Sequence, residues 1–150
     1  MGFAGFSRDG HWLWCGTNVG LRVYRWDSVP RESGVAMPEP TWAYVFPRPP
    51  AFEFSASVTA IAEEADAEAI VFGGGDGRLY RLDLKSGAAR ELAKLPGLAG
   101  VHGLAMSSDG TTLGVASTWT PQMPATPKDL HHTWDVWSYP RLRRMLIHSE

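Results

Sequence analysis

The sequence predicts an all-β chain built from about three four-stranded antiparallel units. Three observations carry that prediction. Val58–Leu95 contains four short β-type runs (Val58–Ala62, Ala69–Phe72, Arg78–Leu82 and Ala89–Leu92) separated by turn-forming residues. The stretches on either side, about 2–46 and 101–148, are weaker copies of it. Seven Trp, with 16 Gly and 11 Pro in 150 residues, favour strands joined by many tight turns.

In chain order, Gly2–Phe6 is a short apolar run closed by Ser7–Arg8–Asp9–Gly10, where Asp closes a tight turn and Gly accepts a positive φ. Trp12–Cys15 is apolar at every position, the pattern of a strand covered on both faces. Thr17–Gly20 turns the chain, and Leu21–Trp26 alternates in part. Ser28–Pro40 reads as a loop and Thr41–Phe46 as an aromatic strand. The prolines between Pro30 and Pro50 exclude helix and confine any strand there to an edge.

At Ala60–Ala69 helix competes, because Ala and Glu are good helix formers. A hairpin is preferred there because its neighbours repeat a strand–turn–strand pattern. Gly73–Gly77 opens a strand and lacks the Lys-Ser/Thr of a phosphate loop. From Val101 the pattern restarts: Val101–Met106, the turn Ser107–Gly110, then the buried strand Thr112–Ala116. A long insert, Ser117–His132, separates these from two closing strands, Thr133–Tyr139 and Leu142–Ile147.

Asp9, Asp66 and Asp109 stand at matching places in the first hairpin of each unit, 57 and 43 residues apart. The second spacing is a normal propeller period of about 40–45 residues, and the first carries a proline-rich insert. The fold expected is therefore a β-propeller segment of about three blades, at about 2–46, 58–95 and 101–148. The chain also resembles the WD40-repeat family. The resemblance rests on the SxDG turns (Ser7–Gly10, Ser107–Gly110), the Asp76–Gly77 pair before a third strand, Trp26–Asp27, and Gly77–Asp83 as an end-of-repeat pattern. Leu82 stands where Trp is typical, and Gly97–Leu98 where the family has Gly-His. Asp9, Gly10, Asp76, Gly77, Asp109, Gly110 and Trp26 are the turn and end-of-strand residues on which the likeness depends.

Propellers have about four to eight blades, so three leave an incomplete ring. Its terminal faces would expose more apolar surface than a monomer tolerates. The remaining blades are expected from a longer chain or from self-association. A longer chain is favoured, because a symmetric ring of unequal blades needs well-matched ends.

A net charge of −2 and a pI near 6.2 give no electrostatic footprint for nucleic acid. No run approaches the ~18 apolar residues of a membrane span. The first residues lack the basic region and apolar core of a secretion signal, and Phe6 stands where a myristoylation site wants Ser or Thr. A cytoplasmic location is the resulting expectation. Cys15, the sole cysteine, has no polarising neighbour in sequence and reads as a small buried hydrophobe.

Binding residues are expected on long connections held by a rigid scaffold. The inserts Pro47–Ser57 and Ser117–His132 would leave from one rim, carrying Phe52, Phe54, Trp119, Met123, His131 and His132. Adjacent histidines on an extended segment point to opposite sides, so His131 and His132 make a poor zinc pair, and no metal or cofactor is expected. Glu63, Glu64, Asp66 and Glu68 read as a solvated hairpin tip. Arg141, Arg143 and Arg144 read as charges guarding an edge strand. His102 is expected to hydrogen-bond a neighbouring blade. The leading function is a non-catalytic scaffold that holds a protein partner through its rim loops. The alternative is a fragment of a propeller enzyme, similar to lactonases or quinoproteins, with a small molecule or metal in the central channel.

Overall fold

The computed structural model describes residues 3–46, 57–95, 98–120 and 131–149. They form three four-stranded antiparallel sheets. Sheet 1 contains β1 (Phe3–Phe6), β2 (Trp12–Gly16), β3 (Gly20–Arg25) and β4 (Trp42–Val45). Sheet 2 contains β5 (Val58–Glu63), β6 (Ala69–Gly74), β7 (Arg78–Asp83) and β8 (Ala89–Lys94). Sheet 3 contains β9 (Leu98–Met106), β10 (Thr112–Thr120), β11 (His131–Ser138) and β12 (Arg143–Ser149). Each sheet is a meander in sequence order. The only helix among the described residues is a 3₁₀ turn at Trp26–Ser28. The molecule is thus an all-β segment of three blade-like sheets, and its ring is not closed.

The three first hairpins share one turn. In each, two backbone bonds close it: Ser7 N–H to Trp12 O and Gly10 N–H to Ser7 O; Glu64 N–H to Ala69 O and Ala67 N–H to Glu64 O; Ser107 N–H to Thr112 O and Gly110 N–H to Ser107 O. The Ser7 and Ser107 hydroxyls donate to Asp9 and Asp109 at 2.5 and 2.6 Å and accept from the Trp12 and Thr112 amides. These bonds favour the ionised carboxylates and hold both Asp side chains below their ordinary pKa. The turn requires a left-handed residue, at φ +73 for Gly10 and +72 for Gly110; sheet 2 places Ala67 there at φ 59. Ala67→Gly should therefore raise the unfolding free energy by about 0.5–1 kcal/mol, the left-handed penalty less the greater unfolded-state entropy of glycine. An unchanged or lower urea midpoint would refute this.

Sheet 2 lies between the other two. One apolar cluster joins Trp14, Leu21, Val23 and Phe46 of sheet 1 to Ile70, Phe72, Tyr80 and Leu82. The other joins Ala60, Val71 and Leu79 to Val101, Leu113, Val115 and Trp137 of sheet 3. Consequently β6 is buried at all six positions. The expectation that the second strand of every unit is covered on both faces fails for the flanking sheets. Leu13 and Cys15 of β2, and Gly114 and Ala116 of β10, are only half-buried, because sheets 1 and 3 each have one neighbouring sheet.

The competition at Ala60–Ala69 resolves as a hairpin, and β4 is an edge strand, as its prolines require. The insert expected over Ser117–His132 is shorter than its sequence suggested. β10 continues to Thr120 and β11 starts at His131, because Ser117–Thr120 find partners in Val101–Leu98 across one bulge.

Candidate functional site

The two rims differ in how their polar groups are used. On one rim the three Asp turns lie side by side. The Arg8 guanidinium donates to the carbonyls of Glu64 and Ala65, and its amide donates to Glu63 Oε2 at 2.9 Å. A Cβ on Gly110 would come within 3.0 Å of the Ala65 methyl, so the third turn packs closely on the second. Glu63 and Glu64 therefore do not sit on a solvated tip. Glu64 is 8% exposed and takes a two-point ion pair from Arg81, Nε to Oε1 at 2.7 Å and Nη2 to Oε2 at 3.0 Å.

The Tyr139 hydroxyl of sheet 3 donates to the same Glu64 oxygen. Burial, then the bond to Glu64, pushes the Tyr139 phenol well above its ordinary range. Glu64 likewise raises Arg81. Glu64 thus ties sheet 2 to Tyr139 beside sheet 3, while Arg81 holds the same carboxylate from within sheet 2.

A second ion pair departs from the sequence expectation. Arg144 lies on the edge strand β12, but its side chain turns inward. It reaches across Trp137 to Asp135 on the inner face of β11, with Nη2 to Oδ2 at 2.6 Å, and the Asp135 side chain is fully buried. Alternation along Thr133, Asp135 and Trp137 was the signal available in sequence, because it puts the carboxylate on the buried face.

The opposite rim carries the long connections. Phe46 N–H donates to Val19 O, Leu95 N–H to Gly77 O and Gly75 N–H to Ser57 O, so the strand ends meet the turns of the second hairpins. Asp76 and Gly77 shape one of these turns. Asp76 accepts the Arg78 amide and the Tyr80 hydroxyl, and Gly77 has φ +69. Phe46, Ser57, Thr120 and His131 lie at this rim. Phe52, Phe54 and Met123 lie outside the described residues.

Trp119 is in β10, its backbone opposite His131 and Ala99. His131 and His132 belong to β11 and not to a loop. His132 Nδ1 lies 3.1 Å from Thr118 Oγ1. His102 sits where β9 bulges against β10; burial, then neighbouring His132, lowers its pKa. Trp26 caps β3, with the Phe6 ring edge-on at 4.9 Å and the Arg31 guanidinium over it.

No family model matches the chain, and no curated protein matches it. The chemistry is therefore read from the geometry alone. Among the described residues, no group of three His, Cys, Asp or Glu side chains is placed to hold a metal ion. Burial raises the Cys15 thiol above its ordinary pKa, which Arg22 only partly opposes, so it is not an activated nucleophile. A cavity of about 300 Å³ lies on the outer face of sheet 1, between Met37–Pro40 and the strands bearing Arg22, Tyr24 and Ala43.

Proposed function

We propose that this chain is a non-catalytic propeller segment of WD40 type that serves as a protein-interaction scaffold within a larger ring. One observation carries the reading. β10 and β11 are nine and eight residues long, against six each for β6 and β7, and they pair without a gap out to Trp119 and His131. The extended ladder holds Trp119 and His131 in register at the far end of sheet 3. Turn residues Asp9, Asp76 and Asp109 also support the reading, because each carboxylate accepts local hydrogen bonds that shape its own turn.

Phe52, Phe54, Trp119, Met123, His131 and His132 are the residues assigned to the partner. Aromatic and Met side chains are enriched in interface cores, and a few large anchors dominate binding. Trp119→Ala should weaken a partner recovered with the wild-type chain by about tenfold and leave the melting transition in place. A lowered melting transition with undiminished binding would make Trp119 a core residue instead.

A further inference from the structure

The three sheets stack by one rule, and that rule defines what is missing at each end. Aligned on their Asp turns, Leu21, Leu79 and Trp134 occupy one position, on the third strand opposite Gly16, Gly73 and Ala116. Leu21 and Leu79 are 1% and 0% exposed because the next sheet covers them. The innermost strand of that sheet lies hard against the facing glycine. A Cβ on Gly16 would fall 3.1 Å from the Val58 Cβ, and one on Gly73 the same distance from the Val101 Cβ. Trp134 has no such cover and is 66% exposed; Met145, on β12, is 63% exposed.

The outer face of sheet 1 is the reverse surface. Leu13, Cys15 and Arg22 correspond there to Ile70, Phe72 and Tyr80, residues of sheet 2 that receive sheet 1, while Tyr24, the counterpart of Leu82, is already buried at 4% exposed. Phe6 and Val45 are exposed on this face. Val35 and Met37 are exposed on the connection beside it, and Met37 bounds the cavity of about 300 Å³. These six are the exposed large apolar side chains among the described residues, and every one belongs to a terminal sheet or its own connection.

The geometry points to a second copy of this chain as the occupant of both faces, with two chains closing a six-bladed ring head to tail. The terminal surfaces are an exposed indole at one end and a cavity bordered by a guanidinium at the other. Both lie on third strands, which face each other in the two stacks within the chain. Trp134 enters the cavity, with Arg22 over or beside its ring, a contact that desolvation strengthens. A heterologous interface that repeats by rotation forms a ring once the rotation closes, and two copies of three sheets supply six blades, within the range propellers adopt. This inference rests on the ring in the proposed function, not on its rim-loop partner.

Light scattering on the eluting full chain tests it. The wild-type particle should have twice the 16.5 kDa of the chain. Trp134→Arg and Val45→Arg lie on opposite faces and outside the core, so each should halve the mass while the far-ultraviolet spectrum of the sheets persists. A wild-type monomer overturns the proposal, as does open-ended growth with concentration. So does a dimer broken by Trp134→Arg and untouched by Val45→Arg, since that dimer would join like faces. A monomer that still loses a protein partner on Trp119→Ala would overturn the two-chain ring alone and leave the scaffold function in place.

Discussion

Phe72→Ala should lower the unfolding free energy by about 4 kcal/mol, the range for deleting a fully buried aromatic ring. Phe72 is 0% exposed at the centre of the contact between sheets 1 and 2. Its ring stacks on Tyr80 at 5.3 Å and meets Tyr44 and Phe46 at 5.5 and 6.1 Å. Removing it leaves a cavity shared by two sheets, and aromatic packing on three sides leaves little freedom to collapse into it. Burial holds both the Tyr44 and the Tyr80 phenol above their ordinary pKa.

The loss should appear as a lowered urea midpoint. It should also appear as faster amide exchange in sheet 1 than in sheet 3, because sheet 1 is held to the molecule chiefly through this contact. A loss under about 1 kcal/mol would place the core elsewhere.

Glu64→Ala should cost about 3 kcal/mol, at the lower end for breaking a buried ion pair, since the Arg81 side chain is 24% exposed and keeps some water. The substitution leaves a guanidinium and a buried hydroxyl without their acceptor, and two sheets lose a common anchor. Tyr139→Phe removes only one hydrogen bond and should cost about 1 kcal/mol. The double variant should be less destabilised than the sum of the two, because Glu64 is the partner both effects share. Strict additivity in a double-mutant cycle would mean that Tyr139 and Glu64 do not interact in solution.

Local features were the most legible in the sequence. The Ser7–Gly10 and Ser107–Gly110 turns are legible because their chemistry is contained in four consecutive residues, with a hydroxyl, a carboxylate and a left-handed glycine at fixed offsets. Strand positions in sheet 2 were legible because short apolar runs alternate with Gly and Asp. Errors arose where an outcome depended on distant partners. Glu64 resembled a solvated tip because nothing nearby announces Tyr139, 75 residues away. Arg144 resembled an edge charge because its partner, Asp135, is on the neighbouring strand and reaches it only through the register of β11 with β12. The ends of β10 and β11 were hidden because Ser, Thr and His commit to a strand only when another strand pairs with them.

The sequence by itself determined the repeat, the turn type and the all-β class, since periodicity and turn chemistry are short-range properties of the chain. Only the tertiary structure decided which faces are covered. Leu21, Leu79 and Trp134 are all large and apolar at one equivalent position, and nothing local separates them. The first two are buried and the third is exposed because burial is a property of the neighbouring sheet, and sheet 3 has no neighbour on that side among the described residues.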